Sequence, residues 1–222
     1  MRNGARFIVA AIVIGAFAVL AVVRYLPTTP TTTTTLPTGF DPQGRYDPTT
    51  LNDMGVIYLN RSDIRSFHEA WSTSNSCPWG FAHNGVDFDF RNDTTVIAAA
   101  PGQVERIDLM DFGADKENRY TVNLGIRFNA TVLVGYGFEP WTNQTAGRAQ
   151  QVAMFKVAIG TWVAKGDPIA SFLMVGVSAH IHFGVIQDNI FRDPSLYLSS
   201  GAIVELLAMV QSFHPTWLIS YP

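Results

Sequence analysis

Val86-Asp87-Phe88-Asp89-Phe90 alternates apolar and acidic side chains without a break. That alternation commits the segment to a strand with one buried and one polar face. His180-Ile181-His182-Phe183 has the same period, so His180 and His182 project from one face while Ile181 and Phe183 turn to a core. A third histidine, His83, stands just before a Gly85 turn that leads into the first of these strands. The two clusters together hold three of the chain's five histidines. Two imidazoles and one carboxylate are the ligand set of an open catalytic zinc, with a fourth position left for water.

The 222 residues suit one globular domain with appendages. Apolar residues make up 47% of the chain and charged ones 15%, and the apolar excess is concentrated at the N-terminus. Phe7 to Val23 is uninterrupted apolar sequence between Arg2 and Arg6 on one side and Arg24 on the other. At about 1.5 Å per residue, roughly 17 to 20 residues reach across a hydrocarbon layer. A cleaved secretory signal is the competing reading, but its apolar region spans about 7 to 15 residues before a small-x-small site. The only such triplet, Ala16-Phe17-Ala18, lies inside the apolar run.

Residues 1–6 are therefore expected in the cytoplasm and 7–26 as a transmembrane anchor or signal peptide. Residues 27–45, rich in Pro and Thr, are expected as an extended linker to an extracytoplasmic domain. The chain would thus be a single-pass cell-membrane protein with its main domain outside. A single cysteine, Cys77, excludes an internal disulfide framework. It is either a small buried side chain or, six residues before His83, a reactive thiol or extra ligand. The net charge of −3 gives no electrostatic footprint for nucleic acid.

Residues 46–76 read as an N-terminal extension, with a short helix over Asp63 to Trp71 that carries His68 as an ordinary half-buried histidine. From 77 to 199 the character is short strands between turn residues: 86–90, 95–99, 103–108, 120–128, 131–136, 151–157, 168–174 and 180–186. Many strands with tight Gly and Asp turns predict a mainly β, antiparallel sandwich or roll. Residues 200–222 read as a C-terminal helix and tail: over Ser200 to Phe213, Ile203, Leu206, Leu207 and Val210 recur at helical spacing, in a segment too short to span a membrane.

His83-x-x-x-Asp87 and His180-x-His182, separated by strands, resemble the two signatures of the M23 metallopeptidases, the lysostaphin- and LytM-type enzymes that cut peptidoglycan cross-bridges. Thr95 to Glu105, Ile159 to Ile169 and Asp193 to Tyr197 are similar to supporting segments of that family, in its order. The resemblance covers roughly Pro78 to Leu198. It implies His83, Asp87 and His182 as ligands of Zn2+ and His180 as a catalytic histidine. It also implies an M23-like β domain acting on a cell-wall peptide or another extended peptide. The family carries a further histidine on a middle strand. Here the equivalent stretch, Leu133 to Pro140, offers Phe138 or, with a register shift, Tyr136, whose hydroxyl would then be the substitute donor. Loss of one such donor typically costs about a hundred- to a thousandfold in rate.

Three functions remain open on these residues: a membrane-anchored zinc endopeptidase, a degenerate relative that regulates envelope hydrolases or binds cell wall, and a metal-free β interaction module. Asp89 shares the face of Asp87 and is expected to hold a ligand imidazole in its tautomer.

Overall fold

The computed structural model describes residues 23–24 and 50–219. The expected linker, and the expected anchor apart from Val23–Arg24, lie outside those residues. Among the described residues no helix is long and apolar enough to cross a membrane.

In chain order the strands are β1 (Val23–Arg24), β2 (Ile64–Phe67), β3 (Val86–Phe90), β4 (Thr95–Ile97), β5 (Gly102–Asp111), β6 (Tyr120–Arg127) and β7 (Val132–Glu139). Helix α1 (Thr145–Ala153) precedes β8 (Trp162–Val163), β9 (Pro168–Ser171), β10 (His180–Gln187) and β11 (Ile190–Arg192), and helix α2 (Ser200–Phe213) closes the described chain. The main sheet runs β1-β5-β6-β7-β10-β3-β2, with β11 on β10 and β8 on β5, and β4 and β9 form a separate pair. Every pairing between these strands is antiparallel.

The period-2 pattern sets the two faces of the central strands. Ile181 pairs with Phe88 on one side and Phe138 on the other, and Phe183 with Val86 and Tyr136. All six side chains are buried in one apolar cluster that extends from Leu51 to Val210. It takes in Met54, Ile57, Ile64 and Phe67 ahead of β3, and Leu206, Met209 and Val210 of α2. The α2 helix begins and ends where its periodicity predicts. The Ser199 side chain caps it by accepting from the Ala202 N–H at 3.2 Å.

Two elements differ in kind from the sequence reading, and others in their bounds. The helix expected over Asp63 to Trp71 is a 3-10 turn (Arg61–Asp63) followed by strand β2. Ile64 and Phe67 are three residues apart, a helical spacing, yet both are buried because the register against β3 slips between Ile64 and Ser66. A bulge with an extra residue turns both side chains to the same face. The strand expected over 151–157 is instead the end of α1 and the turn after it. The helix is pinned by Gln151, which is fully buried; its Nε2 donates to the Ser171 carbonyl at 2.9 Å and its Oε1 accepts from the Leu173 N–H at 2.8 Å. Strand β7 also runs on to Glu139, three residues beyond the expected end at Tyr136.

Candidate metal centre

On the face opposite the core, the same register lines up polar side chains. His182 pairs with Asp87 on β3 and Gly137 on β7, and His180 pairs with Glu139. His83 reaches this row from the turn before β3, where its backbone exchanges two hydrogen bonds with Ser72, at 2.7 and 2.9 Å. His182 Nδ1 lies 2.8 Å from Asp87 Oδ1 and 3.1 Å from His83 Nε2, and His83 Nε2 lies 3.4 Å from Asp87 Oδ1. Three residues from stretches far apart in sequence thus turn one atom each to a common point.

These atoms fit a divalent ion. The His83 Nδ1–H donates to the Ala70 carbonyl at 3.0 Å, which leaves Nε2 as a bare lone pair. With Asp87 ionised and His83 neutral, only His182 Nδ1 can bring a proton to the shared point, and lone pairs of His83 and Asp87 then face each other. A cation removes that conflict. Zinc bound tetrahedrally to N and O at about 2.0–2.2 Å would set its ligand atoms roughly 3.4 Å apart, close to the spacing found here. The seat for the second imidazole requires Gly85, where an added Cβ would fall 2.5 Å from His182 Cε1.

Electrostatics favour the ligand form of the acid. Burial pushes the Asp87 carboxyl up, but hydrogen bonds from His182 and His83 and the nearness of His180 outweigh it, and the group is held far below the usual carboxylate range. Burial also opposes a charge on His83, yet the Asp87 carboxylate prevails and raises that imidazole above its ordinary value. A proton or a metal ion answers the same demand.

His180 stands beside this group. Its Nδ1 lies 2.8 Å from the Ser178 carbonyl, so the Nδ1–H donates there. Nε2 is left 3.4 Å from Asp87 Oδ2 and 3.6 Å from Glu139 Oε2. The Trp141 ring lies 5.9 Å away, centroid to centroid. A cleft of about 220 Å³ runs from His182 past Gly137, Glu139 and Asn123 to Gly184 and Phe191.

The middle-strand position beside His180 is Glu139, not Phe138 or Tyr136. Phe138 and Tyr136 lie on the core face, one residue out of phase with the site. The Tyr136 hydroxyl accepts from the Ala99 N–H at 2.7 Å, and its ring packs on Phe183 at 5.3 Å. Tyr136, expected as a substitute donor, is therefore not brought to the metal-ligand group. Glu139 accepts a hydrogen bond from Asn118 Nδ2, and burial raises its carboxyl above the usual range.

Asp89 also differs from expectation. It holds neither His83 nor His182; its Oδ2 accepts from Arg65 at 2.8 Å and lies 3.2 Å from His68 Nε2. His68 in turn lies 6.1 Å from His180, ring to ring. The helical reading of its segment hid this, since only the strand register of β2 carries His68 to the sheet's polar side. Cys77 belongs to neither His/Asp group among the described residues, and its Sγ–H donates to the Phe81 carbonyl at 3.1 Å.

No family model matches the chain, and no curated protein does. Solved structures do. Its structural neighbours include M23 peptidases. A zinc-containing peptidase from Vibrio cholerae shares 18% identity over 64% of this chain and 39% of that one, with a TM-score of 0.44. The catalytic domain of a mutant prophage-encoded M23 protein, EnpA from Enterococcus faecalis, shares 15% identity over 64% of this chain and 96% of that one, at 0.44. The antimicrobial peptidase lysostaphin from Staphylococcus simulans shares 16% over 68% and 54%, at 0.43. The chain spans about two fifths of the length of the Vibrio cholerae protein.

Proposed function

We propose that this chain is a zinc-dependent endopeptidase of the M23 type, acting on an extended peptide such as a cell-wall cross-link. The observation that carries the reading is the meeting of His83 Nε2, Asp87 Oδ1 and His182 Nδ1 within 3.4 Å of one another. Zinc held by such a set supplies Lewis acidity toward a carbonyl and lowers the pKa of water to about 7. The protein's own part is positioning and proton handling. Donation from Nδ1 to the Ser178 carbonyl fixes the His180 tautomer, so Nε2 can accept a proton beside the ligand group. Asp87 brings negative charge to the ion through one oxygen and faces His180 with the other. Glu139 occupies the place of a donor beside His180. A carboxylate only accepts hydrogen bonds, so Glu139 can serve a developing oxyanion only when protonated, and burial moves it in that direction.

Glu139 also favours a second reading, a degenerate relative that keeps the metal and binds cell wall or regulates envelope hydrolases. Cleavage of cross-linked wall peptides by the zinc-loaded chain, beside a His180→Ala variant, separates the two. Turnover by the wild type with loss in the variant is expected. Equal inertness of both, with zinc retained, would overturn the enzyme reading and leave the binding one. Localisation belongs to the same proposal: residues 7–26 would anchor the chain in the cell membrane, with residues 46–222 outside. Protease accessibility of the outer domain on intact cells tests that.

A further inference from the structure

A second group of potential metal-binding side chains lies on the same face of the sheet and shares only His180 with the centre described above. His68, Asp89 and His180 each turn one donor atom to a common region, within 4.8 Å of one another. Asp89 is almost wholly buried, 1% exposed. Its Oδ2 is taken by Arg65 and His68, but its Oδ1 is buried with no hydrogen-bond partner. A buried carboxylate oxygen without a partner is rare and costly, and a bound ion is one of the few things that explains it. A cleft of about 270 Å³ is lined by His68 and His180, with Asp87 and Trp141 among others, while Asp89 is not part of its wall. That is room for an ion and several waters of about 30 Å³ each.

We propose that His68, Asp89 and His180 form a second divalent-cation site, adjacent to the first. Its donor set of two imidazoles and a carboxylate suits zinc or a similar borderline cation. His68 is already held at Asp89, with its Nε2 3.2 Å from Oδ2. Asp87 Oδ2, 3.4 Å from His180 Nε2, joins the two sites. The second site is the weaker one. Arg65 already supplies a fixed positive charge to Asp89, so a second ion gains less there than the first gains from Asp87. This inference concerns metal binding and stands without the peptidase reading, but the two roles of His180 exclude each other. With Nδ1–H given to Ser178, an ion on Nε2 leaves no lone pair to accept a proton, so a filled second site would silence the proposed peptidase.

The test is zinc stoichiometry of the full-length chain, by equilibrium dialysis against zinc and elemental analysis, then against graded chelator. Two equivalents are expected, the second released at lower chelator. His68→Ala and Asp89→Asn should each bind one equivalent, the tight one, whereas His182→Ala should keep only the weak one. His68 is partly exposed, so its variant is expected to fold even if the Asp89 variant does not; matching thermal unfolding of the metal-free proteins checks this. A single wild-type equivalent, lost in His182→Ala and untouched by His68→Ala, would overturn the second site and leave the first. Two equivalents unchanged in His68→Ala would also overturn it. No bound zinc at all would overturn both.

Discussion

Asp87 and Asp89 stand two residues apart on one strand, project from the same face and are both nearly sealed from water, yet their partners are of opposite kinds. Asp87 sits among three imidazoles, each able to give up its proton. Asp89 sits against a guanidinium that cannot, with His68 as a second partner. A carboxylate surrounded by neutralisable bases can exchange their protons for a metal ion. One already paired with arginine is satisfied in part before any ion arrives. The difference bears on affinity: two carboxylates of one type on one face should hold an ion with unequal strength, because only the partners of Asp87 can all give up a proton.

Asparagine substitution at each acid breaks the comparison most sharply. Asp87→Asn should lose the tight zinc equivalent and the proposed activity together, whereas Asp89→Asn should keep the tight equivalent; metal content after dialysis reads both. Phe88 lies between them on the core face, in edge contact with Phe67 at 5.7 Å. Phe88→Ala should cost about 3–5 kcal/mol in urea unfolding and weaken both sites together, because it removes core packing beneath them. Gly85→Ala acts on one side only. Its Cβ would displace the His182 ring, and a zinc affinity lower by about 10–100-fold is expected, the scale for disturbing a ligand's support. A zinc titration with a competing chelator measures it.

The smallest effect concerns Glu139. Burial raises its folded-state pKa, so the folded chain holds this proton more tightly than the unfolded chain does. Stability is then lost as pH rises from the unfolded value, about 4.3, through the raised folded value. Glu139→Gln should therefore raise the melting temperature of the metal-free protein modestly at pH 7–8 and leave it unchanged below about pH 4. A stabilisation that is independent of pH would show that burial of the charge is not its cause.

Much of this was legible in the chain itself. The alternation through Val86 to Phe90 and through His180 to Phe183 assigned both strands and their faces, and the spacing of Ile203, Leu206 and Val210 gave α2. The segment Ile64 to Phe67 was misread because a bulge can mimic a helical spacing, and with it went the setting of His68. The place of Glu139 was missed for a related reason: the end of β7 and its pairing with β10 depend on contacts across the sheet, which one strand's pattern does not contain.

Local period alone determined that Asp87 shares a face with Asp89, and His180 with His182, since a strand's alternation is a property of the strand. The joining of His83, Asp87 and His182 as one ligand set was what the M23 resemblance implied. Only the tertiary structure decided which atoms meet, that Tyr136 faces the core while Glu139 faces His180, and that Asp89 lies under Arg65 and His68. Register between strands is a cooperative outcome of packing along the whole sheet, and a shift of one residue exchanges every side chain between core and site.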